Sequence, residues 1–180
     1  MPTAETLLWR HVILHTKNSW LHGDERGFRD RHHRIHSTGD SNNTPPKIEH
    51  EGLRRWSQNR AGDPVLLSKD LRPLIVKAFV DRLMKESFEV LTLTCSETHI
   101  HCLSKLPSDL PTTKDLVGRC KRNACGAVHH ILPGPLWSAG GSYKPIRNYD
   151  HHKNAYDYIT TDQEPGTFVW NFKAEEDWME

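Results

Sequence analysis

The chain has 180 residues, of which 36% are hydrophobic, and its mean hydropathy is −0.71. Its 24 basic and 23 acidic residues give a net charge of +1, which argues against a protein that coats nucleic acid through bulk charge alone. No apolar run reaches the roughly 18 residues of a membrane helix, and the N-terminus lacks the pattern of a secretory signal. We therefore expect a cytoplasmic domain without a membrane segment, whose four cysteines remain free thiols.

The first third of the chain combines one clear strand with a long irregular segment. Residues 9–16 are rich in β-branched and apolar side chains, which is typical of a strand. Residues 17–66 instead carry recurrent glycines, Pro45-Pro46 and many charges. Because structureless segments of this length are rare inside compact domains, we interpret residues 17–66 as an insertion with a short helix near 53–58.

The remainder of the chain predicts a regular alternation of helices and strands. Apolar residues recur at helical spacing from 68 to 86. The later predicted elements are strands 88–94 and 98–106, a helix 111–124, a short strand within 132–143 and a helix 149–162. The order β-α-β-β-α-β-α predicts an α+β fold with a single antiparallel sheet layered with helices on one face. We assign residues 1–170 to this domain and 171–180 to an acidic C-terminal tail.

The sharpest local motif is His99-Ile100-His101 in the second strand of the predicted hairpin. Because side chains alternate across a strand, the two imidazoles share one face, about 7 Å apart at their Cα atoms. Such a pair can bind one divalent cation, although in a chain with 13 histidines a structural pair is the commoner case. We interpret His11 and His15, on the first strand, as strand-face residues, with His15 a weaker candidate for a supporting role.

The last predicted helix contains a tyrosine followed one turn later by a carboxylate. Tyr158 and Asp162 are four residues apart and share a helix face, with Gln163 next in the chain. A tyrosine hydroxyl can attack a phosphodiester when a metal neutralises the scissile phosphate and the site orients the phenol. Tyr149 and Tyr156 are alternative nucleophiles, but Tyr156 points about 160° away from Tyr158 on the same helix.

In this order the motifs resemble those of the HUH single-tyrosine transposases, in the branch of the REP-associated tyrosine transposases. That family has a strand with His-hydrophobe-His, a Leu/Val-Trp stretch near glycines, and a late helix with Tyr-Ile or Tyr-Val. This sequence supplies His99-Ile100-His101, then Leu136-Trp137-Ser138 shortly before two glycines, then Tyr158-Ile159. The resemblance covers residues 9–16 and roughly 68–170.

The resemblance implies a ferredoxin/RRM-like HUH endonuclease fold that nicks single-stranded DNA at a hairpin-type end and transfers the strand. It implies that Tyr158 becomes linked to the 5′-phosphate and that His99 and His101 bind Mg²⁺ or Mn²⁺. Asp162 stands at the position of the family's third metal ligand, with Gln163 as the alternative. Such a protein would associate with the nucleoid when bound to DNA, and either a monomer or a homodimer is compatible with the sequence.

Basic residues outside the motifs are candidate DNA contacts, because arginine pairs readily with phosphates. The candidates are Arg119, Lys121 and Arg122 in the helix after the histidines, and Arg29, Arg31 and Arg34 in the insertion. Ordinary solvated charges are the alternative interpretation for each of them. Two other functions also stay open, a DNA-hairpin-binding module of the same fold that does not cut, and a nuclease that hydrolyses DNA with a metal-bound water.

Overall fold

The computed structural model describes residues 6–24, 26, 37–38, 46 and 48–172. The strands are β1 (Leu7–His15), β2 (Val90–Cys95), β3 (His99–Pro107), β4 (Ser142–Pro145) and β5 (Phe168–Asn171). The helices are α1 (Glu51–Ala61), α2 (Leu71–Lys85), α3 (Leu110–Val128) and α4 (Tyr149–Thr161). The described strands form one antiparallel sheet in the order β4-β1-β3-β2-β5, which confirms the predicted α+β class.

The two faces of the sheet are covered by different helices. Val12 and Ile100 point to the face on which α2 and α3 pack, and they belong to the main hydrophobic core. Leu103 points to the other face and packs against Ala155 and Ile159 of α4. The prediction that all helices lie on one face is therefore wrong. The physical reason is that β3 carries apolar side chains on both sides, so each side needs a cover.

Three elements differ from the sequence prediction in position or number. The fourth strand lies at Ser142–Pro145 rather than around Trp137, which forms only an isolated bridge to Thr16. The insertion contains the expected helix, extended to Glu51–Ala61. The C-terminal segment adds β5, which was not predicted. It pairs with β2 at the edge of the sheet, where Asn171 lies opposite Thr92. The boundary of the predicted acidic tail stays a prediction.

The register between β1 and β3 determines which histidines meet. His15 lies opposite His99, and His11 lies opposite Leu103, two residues beyond His101. All four histidines therefore occupy the face of the sheet that α4 only partly covers. Among the described residues, the helices include none with both the length and the apolar character needed to cross a membrane.

Candidate active site

Four imidazoles form a continuous cluster on the sheet face beside α4. The ring centroids of His99 and His101 are 4.9 Å apart, those of His15 and His99 are 5.7 Å apart, and those of His11 and His101 are 5.1 Å apart. The cluster follows from strand geometry, because alternate residues share a face and neighbouring strands bring opposite residues together. The sequence motif thus supplies only half of the histidines that stand at this site.

Helix α4 places Tyr158 next to this cluster. Ala155 and Ile159 bury the helix against the sheet, and Asn148 caps its first turn by accepting a hydrogen bond from the His151 N–H at 2.8 Å. The Tyr158 ring lies edge-on to His101, with centroids 5.4 Å apart, and the side chain is 44% exposed. A tyrosine in this position can reach a bound molecule while it contacts a histidine.

The tyrosine and the histidines line one cavity of about 580 Å³. Asp162 and Gln163, at the end of α4, form part of the same wall. The structure therefore brings together the favoured nucleophile and the candidate metal ligands that the sequence proposes. Those residues are His99, His101, Tyr158, Asp162 and Gln163.

The loop of residues 138–142 forms another part of the cavity wall. Gly141 is required there, because a side-chain carbon at this position would overlap the Leu14 side chain. Lys121 holds the loop by donating hydrogen bonds to the carbonyl oxygens of Ser138, at 2.7 Å, and Gly140, at 3.1 Å. Burial lowers the pKa of Lys121, in keeping with its place between the helix and the loop. Lys121 thus builds the wall of the site.

Hydrogen bonds in the hairpin turn hold the ring of His99. Its Nδ1 lies 2.8 Å from the Ser96 hydroxyl oxygen and 3.2 Å from the Thr98 hydroxyl oxygen. Because Nδ1 makes these contacts, Nε2 is the ring nitrogen that a bound cation would use.

His101 makes a comparable contact with His11. His101 Nδ1 lies 2.8 Å from His11 Nε2, and the two residues are only 4% and 8% exposed. Burial above all, together with nearby histidines and Lys144, lowers the pKa of His101 to about 2 and that of His11 to about 4. Both imidazoles are neutral near pH 7, as metal coordination demands.

The donor types in the cavity suit a hard divalent cation, but they do not already form a closed site. No three His, Cys, Asp or Glu side chains in the described part of the chain stand close enough together to hold a metal ion. Two neutral imidazoles and a carboxylate are nevertheless ligands that Mn²⁺ accepts. Gln163 donates from Nε2 to the Tyr158 carbonyl oxygen at 2.8 Å, which leaves its Oε1 as an acceptor.

The basic residues that the sequence proposes for DNA contact lie in different surroundings. Arg119 forms ion pairs with Glu86 and with Asp115, and Lys121 is bound to the loop described above. Arg122 is exposed. Arg29, Arg31 and Arg34 lie outside the described residues. Their contacts with DNA all remain predictions.

Several residues of the site were not predicted from the sequence to contact the motif histidines. His11 and Ser96 contact the two motif histidines, and Trp20 packs beside His15 with centroids 4.7 Å apart. Arg26 lies over the Trp20 ring, 4.3 Å from its centroid. The spacing of His11 and His15 on one strand face was a usable signal, but the pairing of β1 with β3 cannot be read from local pattern.

Comparison with known proteins finds similarity to a solved structure. No family model matches the chain, and no curated protein sequence matches it. A solved structure of a REP-associated tyrosine transposase bound to a REP hairpin aligns with 88% of this chain and 68% of that chain. The identity is 13% and the TM-score is 0.42, so this similarity does not by itself assign a function.

Proposed function

We propose that the protein is a transposase-like enzyme that nicks single-stranded DNA at a hairpin-type end and transfers the strand. The observation that carries the proposal is the placing of Tyr158 beside His101, in a cavity that His99 and Asp162 also line. A nucleophile, neutral imidazoles and a carboxylate within one open cavity form a set suited to phosphoryl transfer.

The chemistry assigns the covalent step to Tyr158. The Tyr158 oxygen attacks the scissile phosphorus and becomes bonded to the 5′-phosphate. The bond between that phosphorus and the 3′ oxygen breaks. The phenol proton is released, and the departing 3′ oxygen takes up a proton to become a hydroxyl. Attack by another 3′-hydroxyl on the phosphotyrosine reverses these bond changes and joins a new strand. The exposure of Tyr158 supports access of a DNA strand to this oxygen.

The metal implied by the resemblance would be held by His99 and His101 with an oxygen ligand from the end of α4. When bound, Mg²⁺ or Mn²⁺ neutralises negative charge on the scissile phosphate. We favour Asp162 over Gln163 as the third ligand, because carboxylates are strong ligands for hard cations. The Gln163 amide already donates to the helix end, which supports a structural part for it.

The DNA partner would be a single strand or a hairpin that crosses the histidine face. Arg122 is the first basic residue to test, since it is exposed, whereas Arg119 and Lys121 make contacts within the protein. A module that binds hairpins without cutting is the second candidate. The observation that favours it is the lack, within the described residues, of three ligands already placed for a metal.

A covalent-capture experiment tests the proposal. The purified protein is mixed with end-labelled single-stranded hairpins from the flanks of its own gene and with Mn²⁺, and the products are separated on a denaturing gel. We expect a protease-sensitive adduct on the 5′ side of the cut, which Tyr158→Phe abolishes. Tyr156→Phe is the matched control, because that ring packs away from the histidines, in the small cluster with Leu103.

The alternatives give different results in the same assay. Hairpin binding without an adduct, in the presence of Mn²⁺, would favour the module that does not cut. Cleavage that persists in Tyr158→Phe without an adduct would instead indicate hydrolysis by a metal-bound water.

A further inference from the structure

We propose that His11 is a positioning residue, which accepts a hydrogen bond from the Nδ1–H of His101 and thereby presents His101 Nε2 to the cavity. The inference rests on the proposed function, because it assigns His11 a part in the metal site of that function. It concerns a residue of β1 that lies outside the His-Ile-His motif.

The strand register places His11 where it can reach His101. His11 pairs with Leu103, so His101 is its diagonal neighbour on the same face. Diagonal neighbours on an antiparallel pair are about 7–8 Å apart, within the combined reach of two imidazoles. The contact between the rings closes to 2.8 Å between His11 Nε2 and His101 Nδ1.

The two rings differ in what surrounds them. His101 lines the cavity, together with His99 and Tyr158, whereas His11 is absent from the cavity wall that the described residues form. His11 therefore lies behind His101 as seen from the cavity. It is in the position from which an outer residue orients a metal ligand.

The direction of the hydrogen bond decides whether His101 can act as a ligand. A neutral imidazole has one N–H and one lone pair, so only one of the two rings donates. If His101 donates from Nδ1, its Nε2 keeps the lone pair that a cation would need. If His11 donates instead, the proton of His101 lies on Nε2, and no lone pair remains there for a cation.

His99 is held at the same ring nitrogen as His101. Its Nδ1 lies 2.8 Å from the Ser96 hydroxyl oxygen, and His101 Nδ1 lies 2.8 Å from His11 Nε2. Both motif histidines are therefore contacted at Nδ1 from within the protein, one by the hairpin turn and the other by β1, so Nε2 is the nitrogen that each would offer to a cation.

Three variants at position 11 test the inference. His11→Gln keeps an acceptor at the place of Nε2, His11→Asn keeps a polar group that is too short to reach His101, and His11→Leu removes the acceptor. The measurements are Mn²⁺ affinity, from the electron paramagnetic resonance signal of free Mn²⁺, and the ¹⁵N NMR tautomer of His101. We expect Leu and Asn to weaken Mn²⁺ binding by about 10–100-fold and to mix the His101 tautomers, while Gln restores both.

The outcomes separate this inference from the proposed function. If the wild-type protein binds no Mn²⁺, or if His99→Ala leaves Mn²⁺ binding unchanged, the metal site fails and the inference fails with it. If His99→Ala abolishes binding but the Gln and Asn variants at position 11 bind Mn²⁺ equally well, only the part of His11 is overturned. The comparison of Gln with Asn holds even if His11→Leu fails to fold.

Discussion

At the residue scale, the two candidate third ligands differ in their contacts. Asp162 and Gln163 both follow Tyr158 at the end of α4. Asp162 is exposed, and the neighbouring Thr161 hydroxyl donates to the Asp157 carbonyl oxygen at 2.6 Å, so that hydroxyl does not hold the Asp162 carboxylate. Gln163 donates to the Tyr158 carbonyl oxygen and thus closes the end of the helix. The carboxylate can turn toward the histidines at little cost, whereas the Gln163 side chain is already held by its hydrogen bond to the Tyr158 carbonyl oxygen.

Substitution at these two positions should therefore have opposite effects. We expect Asp162→Ala to weaken Mn²⁺ binding by about tenfold or more while the free energy of unfolding changes little. We expect Gln163→Ala to lower the free energy of unfolding by about 1 kcal/mol, since one hydrogen bond is lost, and to leave Mn²⁺ binding intact. Calorimetric titration with Mn²⁺ and urea denaturation of both variants measure the two effects. The reverse pattern would make Gln163 the third ligand.

Glu86 provides the clearest connection between two packed helices at the scale of elements. It follows α2 and forms ion pairs with Arg119 of α3 and with Arg82 one turn back. The hydrogen bonds from Arg119 above all, together with Arg82, lower the pKa of the Glu86 carboxyl to about 2. Arg119 is therefore part of the α2–α3 contact, whatever it does toward DNA.

This lowered pKa predicts a pH-dependent part of the stability. Because the carboxyl has a lower pKa in the folded protein than its ordinary value of 4.5, the pair stabilises the fold above that value. The contribution is lost as the pH falls from 4.5 toward 2, where the carboxyl becomes protonated. We expect Glu86→Gln to flatten the fall in stability between pH 5 and pH 2, measured by urea denaturation across this range.

A matched control for this prediction is Asp81→Asn on α2. Asp81 pairs with Lys77 four residues before it, and both side chains are largely exposed. Such surface pairs contribute about 0–1 kcal/mol, so the control should leave the pH profile close to that of the wild type. An unchanged profile in Glu86→Gln as well would show that the α2–α3 ion pair does not contribute to acid stability.

Arg72, at the scale of the whole molecule, joins two distant segments of the chain. Its guanidinium donates two hydrogen bonds to the Leu67 carbonyl oxygen, at 3.0 and 2.9 Å, and one to that of Gly166, at 2.6 Å. The residue is 7% exposed. It therefore ties the segment that leads into α2 to the segment that leads into β5. The strand β5 pairs with β2 and forms that edge of the sheet.

Removal of this guanidinium should destabilise the whole fold. We expect Arg72→Met to lower the free energy of unfolding by about 2–4 kcal/mol, because the buried Leu67 carbonyl and the partly buried Gly166 contact lose a charged donor. Lys77→Met, on the exposed side of the same helix, should change the free energy of unfolding by less than about 1 kcal/mol. Urea denaturation compares the two variants. Equal effects would mean that the Arg72 hydrogen bonds add nothing beyond ordinary surface contacts.

The amino-acid sequence by itself determined the elements and the faces of the site. The twofold period of β3 placed His99 and His101 on one side of the strand, and the helical period of α4 separated Tyr158 from Tyr156. The order of strands and helices was sufficient to predict the α+β class. These properties are local, because each depends only on the geometry of one strand or one helix.

Only the tertiary structure decided how these faces meet. The pairing of β1 with β3 brings His11 behind His101, and the packing of Ile159 on Leu103 carries Tyr158 to the histidines on the face opposite α2 and α3. Strand pairing and helix docking depend on burial across the whole chain, so no local spacing specifies them. The same reason explains why Lys121, basic and exposed by its pattern, proves to hold the wall of the cavity.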